Sequence, residues 1–320
     1  METANNTTDK RLLAKVSSMY YEQGFNQQEI ANRLHLSRPK ISRLLKKARK
    51  EGVVQISVVK PEGNFLTLEQ SIEKKFSLTE VMVVESESDI SSELIKRQVG
   101  IAAGQYLHRT IANGDTIGVT WGTTLQAMVD AMTPKKIDNT HVVQALGGVG
   151  PPEAKAHATD ISRRLSQLLN SQLTLLPAPG IVGSVESKQV LLADRQVRGA
   201  LDQFSEIDIL CVGLGALETN PVLDRDSQEL PPHLYDEMIN SNAVGDIALR
   251  FFDLDGQETN SSLKDLVIGI SMEELKKVNN VVGVAGGPEK IDVIRGALNG
   301  QLIDVLITDS QVAQILIEDS

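Results

Sequence analysis

A chain of 320 residues with 41% hydrophobic and 23% charged content is long enough for one large or two ordinary domains around a sizeable core. Its one cysteine, Cys211 in the apolar run ILCVG, leaves no intramolecular disulfide. No early apolar stretch resembles a signal peptide or a spanning helix, so a reducing, cytoplasmic setting without a membrane partner is expected. The net charge of −10 argues at first against nucleic acid. Its distribution reverses that inference, because residues 1–60 hold 12 Lys and Arg against 5 Asp and Glu, whereas the remaining residues hold 20 against 37. A basic head beside an acidic body concentrates phosphate attraction on the head.

The polar stretch METANNTT lacks a pattern and reads as a frayed tail. A helix is predicted from Asp9, with Leu12, Leu13, Val16, Met19 and Tyr20 at helical spacing and Gly24 as its stop. Phe25 to Lys50 then reads as a helix-turn-helix. Ile30, Ala31 and Leu34 form one stripe over Gln27–Leu34. Ser37 as N-cap and Pro39 in the first turn open a second helix near Arg38. Its buried stripe is Ile41, Leu44, Leu45 and Ala48, which turns Arg38, Lys40, Ser42, Arg43, Lys46, Lys47, Arg49 and Lys50 outward. Such a basic helix suits the major groove of double-stranded operator DNA. Arg38, Lys40 and Arg43 are expected on base edges, Gln27, Gln28 and Lys46 on phosphates, with Ser42 on the same face. The alternative is an αα-hairpin with a solvated charged face.

Val53, Val54, Ile56, Val58 and Val59, closed by Pro61 and Gly63, read as a strand or hairpin, the wing of a winged module. Residues 1–60 are thus expected to form a DNA-binding domain and 61–80 a linker helix. In that helix Phe65, Leu68, Ile72 and Phe76 lie close to one stripe, which serves either core packing or a dimer contact. Residues 81–320 are expected to form a separate α/β body domain. Strands are predicted at 81–84, 116–120, 141–146, 173–176, 207–213, 281–285 and 305–308. Helices are predicted at 92–109, 125–132, 156–169, 195–204, 231–239, 272–277, 289–298 and 310–317. Apolar strands joined by helices imply an α/β Rossmann-like body whose largely parallel sheet is covered on both faces.

Ligands of open α/β sheets gather where a Gly-rich strand end leads into a helix N-terminus. Four such turns occur. IGVTWGTTL offers Gly122, Thr123 and Thr124; GGVG follows Leu146 with Gly147 and Gly148; VGLGALE holds Gly213 and Gly215; VAGGPEK holds Gly286, Gly287 and Lys290. Each alone is explained as well by close packing or positive φ. Thr123, Thr124 and Lys290 together supply hydroxyls, backbone donors and a cation, which suits one phosphate monoester. Asp246, in AVGDIALRFFDLDG, either accepts hydrogen bonds from sugar hydroxyls or caps a helix. The five histidines, His35, His108, His141, His157 and His233, are dispersed, so neither a metal nor another cofactor is expected. No GxSxG, HExxH, Walker or correctly placed GxGxxG motif occurs. Proton transfer on a sugar phosphate needs only a placed carboxylate or lysine, so an isomerase or deaminase carrying a DNA-binding head remains the alternative function.

The stretches YYEQGFNQQEIANRLHLSRPKISRLL, GVTWGTT, VGDIALRFFDLDG, VAGGPEK followed by IRGAL, and VLITD resemble the SorC/DeoR-type family of bacterial sugar-binding transcriptional regulators. The resemblance runs from about Arg11 to the C-terminus. It implies a winged helix-turn-helix head and a body resembling the ribose-phosphate isomerase and glucosamine-phosphate deaminase fold. That body would be a non-enzymatic sensor of a phosphorylated sugar or polyol in a regulator of a carbohydrate-utilisation operon, and a homo-oligomer, a tetramer built as a dimer of dimers. Carried over by position, the phosphate contacts fall on Gly122, Thr123, Thr124 and Lys290 and the carboxylate for sugar hydroxyls on Asp246. Gly147 and Gly148 belong to the implied effector site. Sensors of this type that capture an aldehyde carry lysine where Leu146 stands, and bisphosphate sensors carry arginine there. Leu146 can do neither, so a monophosphorylated effector is expected.

Overall fold

The computed structural model describes residues 2–54, 65–86, 91–149, 157–223, 230 and 232–318. Its contacts divide the chain into two units, Met1–Glu62 and Gly63–Ser320.

The first unit holds three helices, α1 (Glu2–Tyr21), α2 (Gln27–Leu34) and α3 (Arg38–Lys50). Val16, Met19, Ile30, Ala31, Ile41 and Leu45 make their common core. The expected frayed tail is corrected: α1 begins at Glu2, because no Gly or Pro in residues 2–8 interrupts a helix whose later turns are anchored by burial. Asn26 starts α2 with a capping box. Its side-chain oxygen accepts from the N–H groups of Gln28 and Glu29, each at 3.0 Å, and the Glu29 carboxylate accepts from Asn26 N–H at 2.8 Å. His35, at φ 54°, ends it. Ser37 takes the N-cap conformation of α3, but its side chain makes no cap bond, so Pro39 carries more of that helix start than the sequence suggested. The wing expected over Val53–Val59 falls mainly on residues 55–64, outside the described residues.

The second unit opens with α4 (Leu66–Phe76), whose Ile72 is fully buried in the body core and whose Lys75 Nζ donates to Leu316 O at 3.0 Å. Seven strands form the sheet path β1-β9-β8-β5-β2-β3-β4, and every neighbouring pair in it is parallel. They are β1 (Glu80–Val84), β2 (Thr116–Val119), β3 (His141–Gln144), β4 (Gln172–Thr174), β5 (Ile209–Ala216), β8 (Asn280–Val284) and β9 (Val305–Asp309). Alternate strand residues enter opposite cores. Ile209, Cys211, Val282 and Ile307 face the core beneath α5 (Ser92–Thr110), α6 (Thr123–Ala131) and α7 (Ala158–Leu169). Leu210, Val212, Val281 and Leu306 face the core that also holds residues of α4, α12 (Ile291–Asn299) and α13 (Ser310–Glu318). Burial on both faces makes such strands near-continuous apolar runs in the sequence.

Two elements lie outside the expected plan. Helix α8 (Val185–Ala193) has no buried residue, hence no stripe to read. Strands β6 (Gly245–Ile247) and β7 (Arg250–Phe252) form an antiparallel hairpin on the C-terminal extension of β5. Helices α9 (Arg195–Leu201), α10 (Pro232–Ile239) and α11 (Met272–Leu275) complete the unit. No helix among the described residues is long and apolar enough to cross a membrane.

Candidate functional site

The chain leaves β2 for β3 and β4 on one side, then returns as β5 on the other side of β2. Strand order therefore reverses between β2 and β5, where the departing loops open a crevice at the strands' carboxyl ends. A cavity of about 320 Å³ occupies that place. Its wall combines Trp121 to Leu125 after β2, Gly213 to Gly215 of β5, Thr219 and Asn220 beyond it, and Val284 and Ala285 at the end of β8. Lys96 of α5, Asp246 of β6, Lys290, Val149 and His157 close it.

Asp246 is placed by the β6–β7 hairpin. Its two-residue turn, Ala248–Leu249, has φ of 51° and 62°, a left-handed pair normally supplied by Asn-Gly. Two buried apolar residues in that conformation are strained, and the Asp246 carboxylate offsets part of the cost, because Leu249 N–H donates to Oδ2 at 2.9 Å. Asn220 Nδ2 donates to Oδ1 at 2.7 Å. Opposite lies Gly215, where any Cβ would collide with Oδ1. Asp246 thus sits in a strand, and the helix-capping alternative drops out. Only 3% exposed, its carboxyl is pushed up to about 6 by burial, against the opposing pull of the Leu249 and Asn220 donors and the Lys290 charge.

The opposite wall presents positive potential. Gly122 begins α6 at φ 122° without a side-chain cap, and Thr123 and Thr124 of its first turn line the cavity. Lys290 ends the short 3-10 turn Pro288–Lys290, which follows Gly287 at φ 102°. The buried Asp309 of VLITD fixes that turn. Its Oδ2 accepts Gly287 N–H at 2.7 Å, while Oδ1 accepts from Gln311 N, Val312 N and Ser86 Oγ at 3.0–3.1 Å. Asp309 is spent on tying strand ends together and does not line the cavity. Lys290 Nζ lies 3.5 Å from Thr219 Oγ1. Burial lowers its proton affinity, Asp246 and Glu289 raise it, and Lys96 lowers it further.

Gly122, Thr123, Thr124, Asp246 and Lys290 therefore meet in one cavity. Gly147 and Gly148 do not line it. Their role is close packing: Gly147 N–H donates to Ile268 O at 3.0 Å and Gly148 N–H to Ala178 O at 2.9 Å, and a Cβ on Gly147 would stand 2.5 Å from Pro179 O. Leu146 is fully buried in the core and also leaves the cavity wall. Sequence reasoning missed His157, Asn220, Thr219 and Lys96. His157 caps α7, with Nδ1 accepting Thr159 N–H at 3.3 Å, so Nε2 carries the proton in the neutral ring. Its imidazole stands 2.9 Å from where a Gly148 Cβ would be, which ties Gly148 to the site indirectly. Among the described residues no group of three or more His, Cys, Asp or Glu side chains could hold a metal ion.

In the first unit Arg38, Lys40, Arg43 and Lys46 are exposed on α3, with Ser42 half-buried. Arg49 is held on α1, its Nε donating to the Tyr21 hydroxyl at 2.8 Å. Gln28 is exposed, with its amide donating to Asn32 Oδ1 at 3.0 Å, and Gln27 is half-buried.

Residues 60–318 match the family model described as "Putative sugar-binding domain", and residues 15–51 match sigma-70, region 4. The deoxyribonucleoside regulator of Bacillus subtilis is 30% identical over 314 residues, covering 97% of this chain and 98% of the relative. The sorbitol operon regulator of Klebsiella pneumoniae is 28% identical over 322 residues, covering 98% and 99%. The crystal structure of full-length SorC from Klebsiella pneumoniae superposes with a TM-score of 0.73 at 26% identity, over 96% of this chain and 98% of that one. A helix-turn-helix head and a parallel-sheet body matched over nearly their whole length place this chain in the SorC/DeoR-type family of sugar-binding transcriptional regulators.

Proposed function

We propose that the cavity between β2 and β5 binds a monophosphorylated sugar or polyol and that its occupancy controls operator binding by α3. One observation carries this reading: a single cavity joins the uncapped start of α6 and Lys290, suited to a phosphoryl group, with the buried Asp246 carboxylate, suited to hydroxyls. The relatives named above regulate deoxyribonucleoside and sorbitol genes by their names, which agrees with a small carbohydrate effector. Leu146 supplies neither an amine for an aldehyde nor a charge for a second phosphate. For the effector to act, it must bind two arrangements of the protein unequally. A tenfold change in DNA affinity requires about 1.4 kcal/mol of such coupling.

On the DNA side, Arg38, Lys40 and Arg43 read base edges, while Gln27, Gln28 and Lys46 hold the phosphates, with Ser42 on the same face. Arg43→Ala is expected to weaken operator binding more than binding to random DNA, and equal losses would remove its base-reading role. Two-fold homo-oligomers, assembled as a dimer of dimers, would match paired half-sites, which sizing with and without effector checks.

The effector reading is tested by a thermal-shift panel of four- to six-carbon sugar and polyol phosphates beside their unphosphorylated parents. A phosphorylated compound is expected to raise the melting temperature of the native protein and to lose that effect in Lys290→Met and Asp246→Asn. Equal response to an unphosphorylated parent would contradict it. One observation favours a second reading: a carboxyl pushed up to about 6 suits a general base for isomerisation or deamination. Saturable turnover of a panel compound, abolished in Asp246→Ala, would establish that enzyme reading in its place.

A further inference from the structure

We propose that Lys96, in the second turn of α5, is a second cation for the effector phosphate, so that the anion is held between two ammonium groups at the first turn of α6. This rests on the phosphate reading of the cavity above and deepens it. The placement of Lys96 follows from how α5 is seated. Ser92 Oγ donates to Glu289 Oε1 at 2.9 Å, which fixes the start of α5 against the turn that delivers Lys290. Four residues on, along the same helix face, stands Lys96. Ile95 and Val99 pack so closely over Gly286 that a Cβ there would lie 2.9 Å from each, so α5 cannot slide without displacing the β8 end.

Lys96 also stands at a boundary. A second, open groove of about 410 Å³ runs between α5 and α6, and the two residues it shares with the effector cavity are Lys96 and Thr123. The cation and the first residue of α6 therefore form the common rim of both spaces. Helices α5 and α6 are held in this relation by Gly100, where a Cβ would collide with Ala127.

The charge balance points the same way. Lys96 is near enough to Lys290 for its charge to lower the proton affinity of the Lys290 ammonium. Asp246 and Glu289 offset Lys290, yet among the described residues Lys96 has no hydrogen-bond or ion-pair partner. Two lysines beside a helix N-terminus repel one another when the cavity is empty, and a dianion between them relieves that repulsion.

Inorganic phosphate at pH 8 and constant ionic strength is the probe, titrated by calorimetry into full-length native protein, Lys96→Met, Lys96→Arg and Lys290→Met. Phosphate is expected to bind the native protein, to bind Lys96→Met and Lys290→Met each about tenfold more weakly, and to bind Lys96→Arg within about threefold of native. Native-like affinity in Lys96→Met beside a loss in Lys290→Met would overturn the role of Lys96 and leave the cavity reading standing. No phosphate binding by the native protein would overturn both. Should Lys96→Met fail to fold, Lys96→Gln against Lys96→Arg gives the same comparison, and equal affinity of those two would overturn the proposal.

Discussion

Two glycine turns leave adjacent strands of the same sheet and do opposite work. After β2, Gly122 leads into a helix start that no side chain among the described residues caps, and beyond its chain neighbours no described atom lies within 4 Å of the position of its missing Cβ. After β3, Gly147 and Gly148 are pressed against residues 178–180, with their N–H groups satisfied by Ile268 and Ala178. The first glycine is required by its backbone angle, the second by its neighbours. One side of the crevice is closed by protein atoms, while on the other the helix start is left without a side-chain cap.

The contrast breaks most visibly at Gly147. A Cβ there meets the backbone of Pro179 and Ala178 at 2.5–2.7 Å, and backbone cannot yield cheaply. Gly147→Ala is expected to cost about 3 kcal/mol or more of stability in denaturant unfolding; a loss below 1 kcal/mol would mean that the 178–180 segment gives way. Asp246 tests the ligand side. Its folded-state carboxyl is raised to about 6 from 3.8, so the folded protein binds the proton more tightly than the unfolded chain. Stability of the ligand-free protein should therefore fall as pH rises from about 4 through 6, by up to roughly 3 kcal/mol. Asp246→Asn should remove that component of the pH profile, and an unchanged profile would place the carboxyl elsewhere on the scale.

Gly122→Ala has room for its methyl group but not the backbone, since φ 122° with ψ 157° is a region almost confined to glycine. A stability loss of about 2 kcal/mol is expected, accompanied by loss of effector binding, a pairing that Gly147→Ala should not show in whatever fraction folds. The smallest effect belongs to Gly148→Ala. Its methyl would meet the tip of the His157 ring at 2.9 Å, and a side chain can turn aside. Stability should change by less than about 1 kcal/mol, while effector affinity shifts because His157 lines the cavity. No change in affinity would detach His157 from recognition.

The same contrast explains what could be read in advance. The inner strands β2, β3, β5, β8 and β9 were legible because burial leaves apolar runs such as ILCVG, whereas the edge strand β4, none of whose residues is buried, was readable only in part, its predicted span 173–176 overlapping the observed Gln172–Thr174. The IGVTWGTTL turn was readable as a strand end leading into a helix start, and the structure places its Gly122, Thr123 and Thr124 on the cavity wall. The VGDIALRFFDLDG stretch gave Asp246 as a candidate without its strand: the β6–β7 hairpin turns on Ala248 and Leu249, which carry no turn signature. Gly147 and Gly148 resembled Gly122 in sequence; the packed neighbours, distant in the chain, and the left-handed φ of Gly122 distinguish them. Lys96 was illegible for a related reason. On the sequence it is one lysine on a charged helix, and the Ser92–Glu289 bond that brings α5 beside Lys290 spans 197 residues.

In the function proposed above, occupancy of the cavity is coupled to operator binding by the DNA-binding head. The most direct test of that coupling is the affinity of the full-length protein for an operator fragment, selected from random-sequence DNA, with and without the sugar or polyol phosphate identified by thermal shift, in native protein and in Lys290→Met. A change of tenfold or more is expected in the native protein and none in Lys290→Met at the same ligand concentration. An equal change in both proteins, or none in the native one while the ligand is bound, would contradict it.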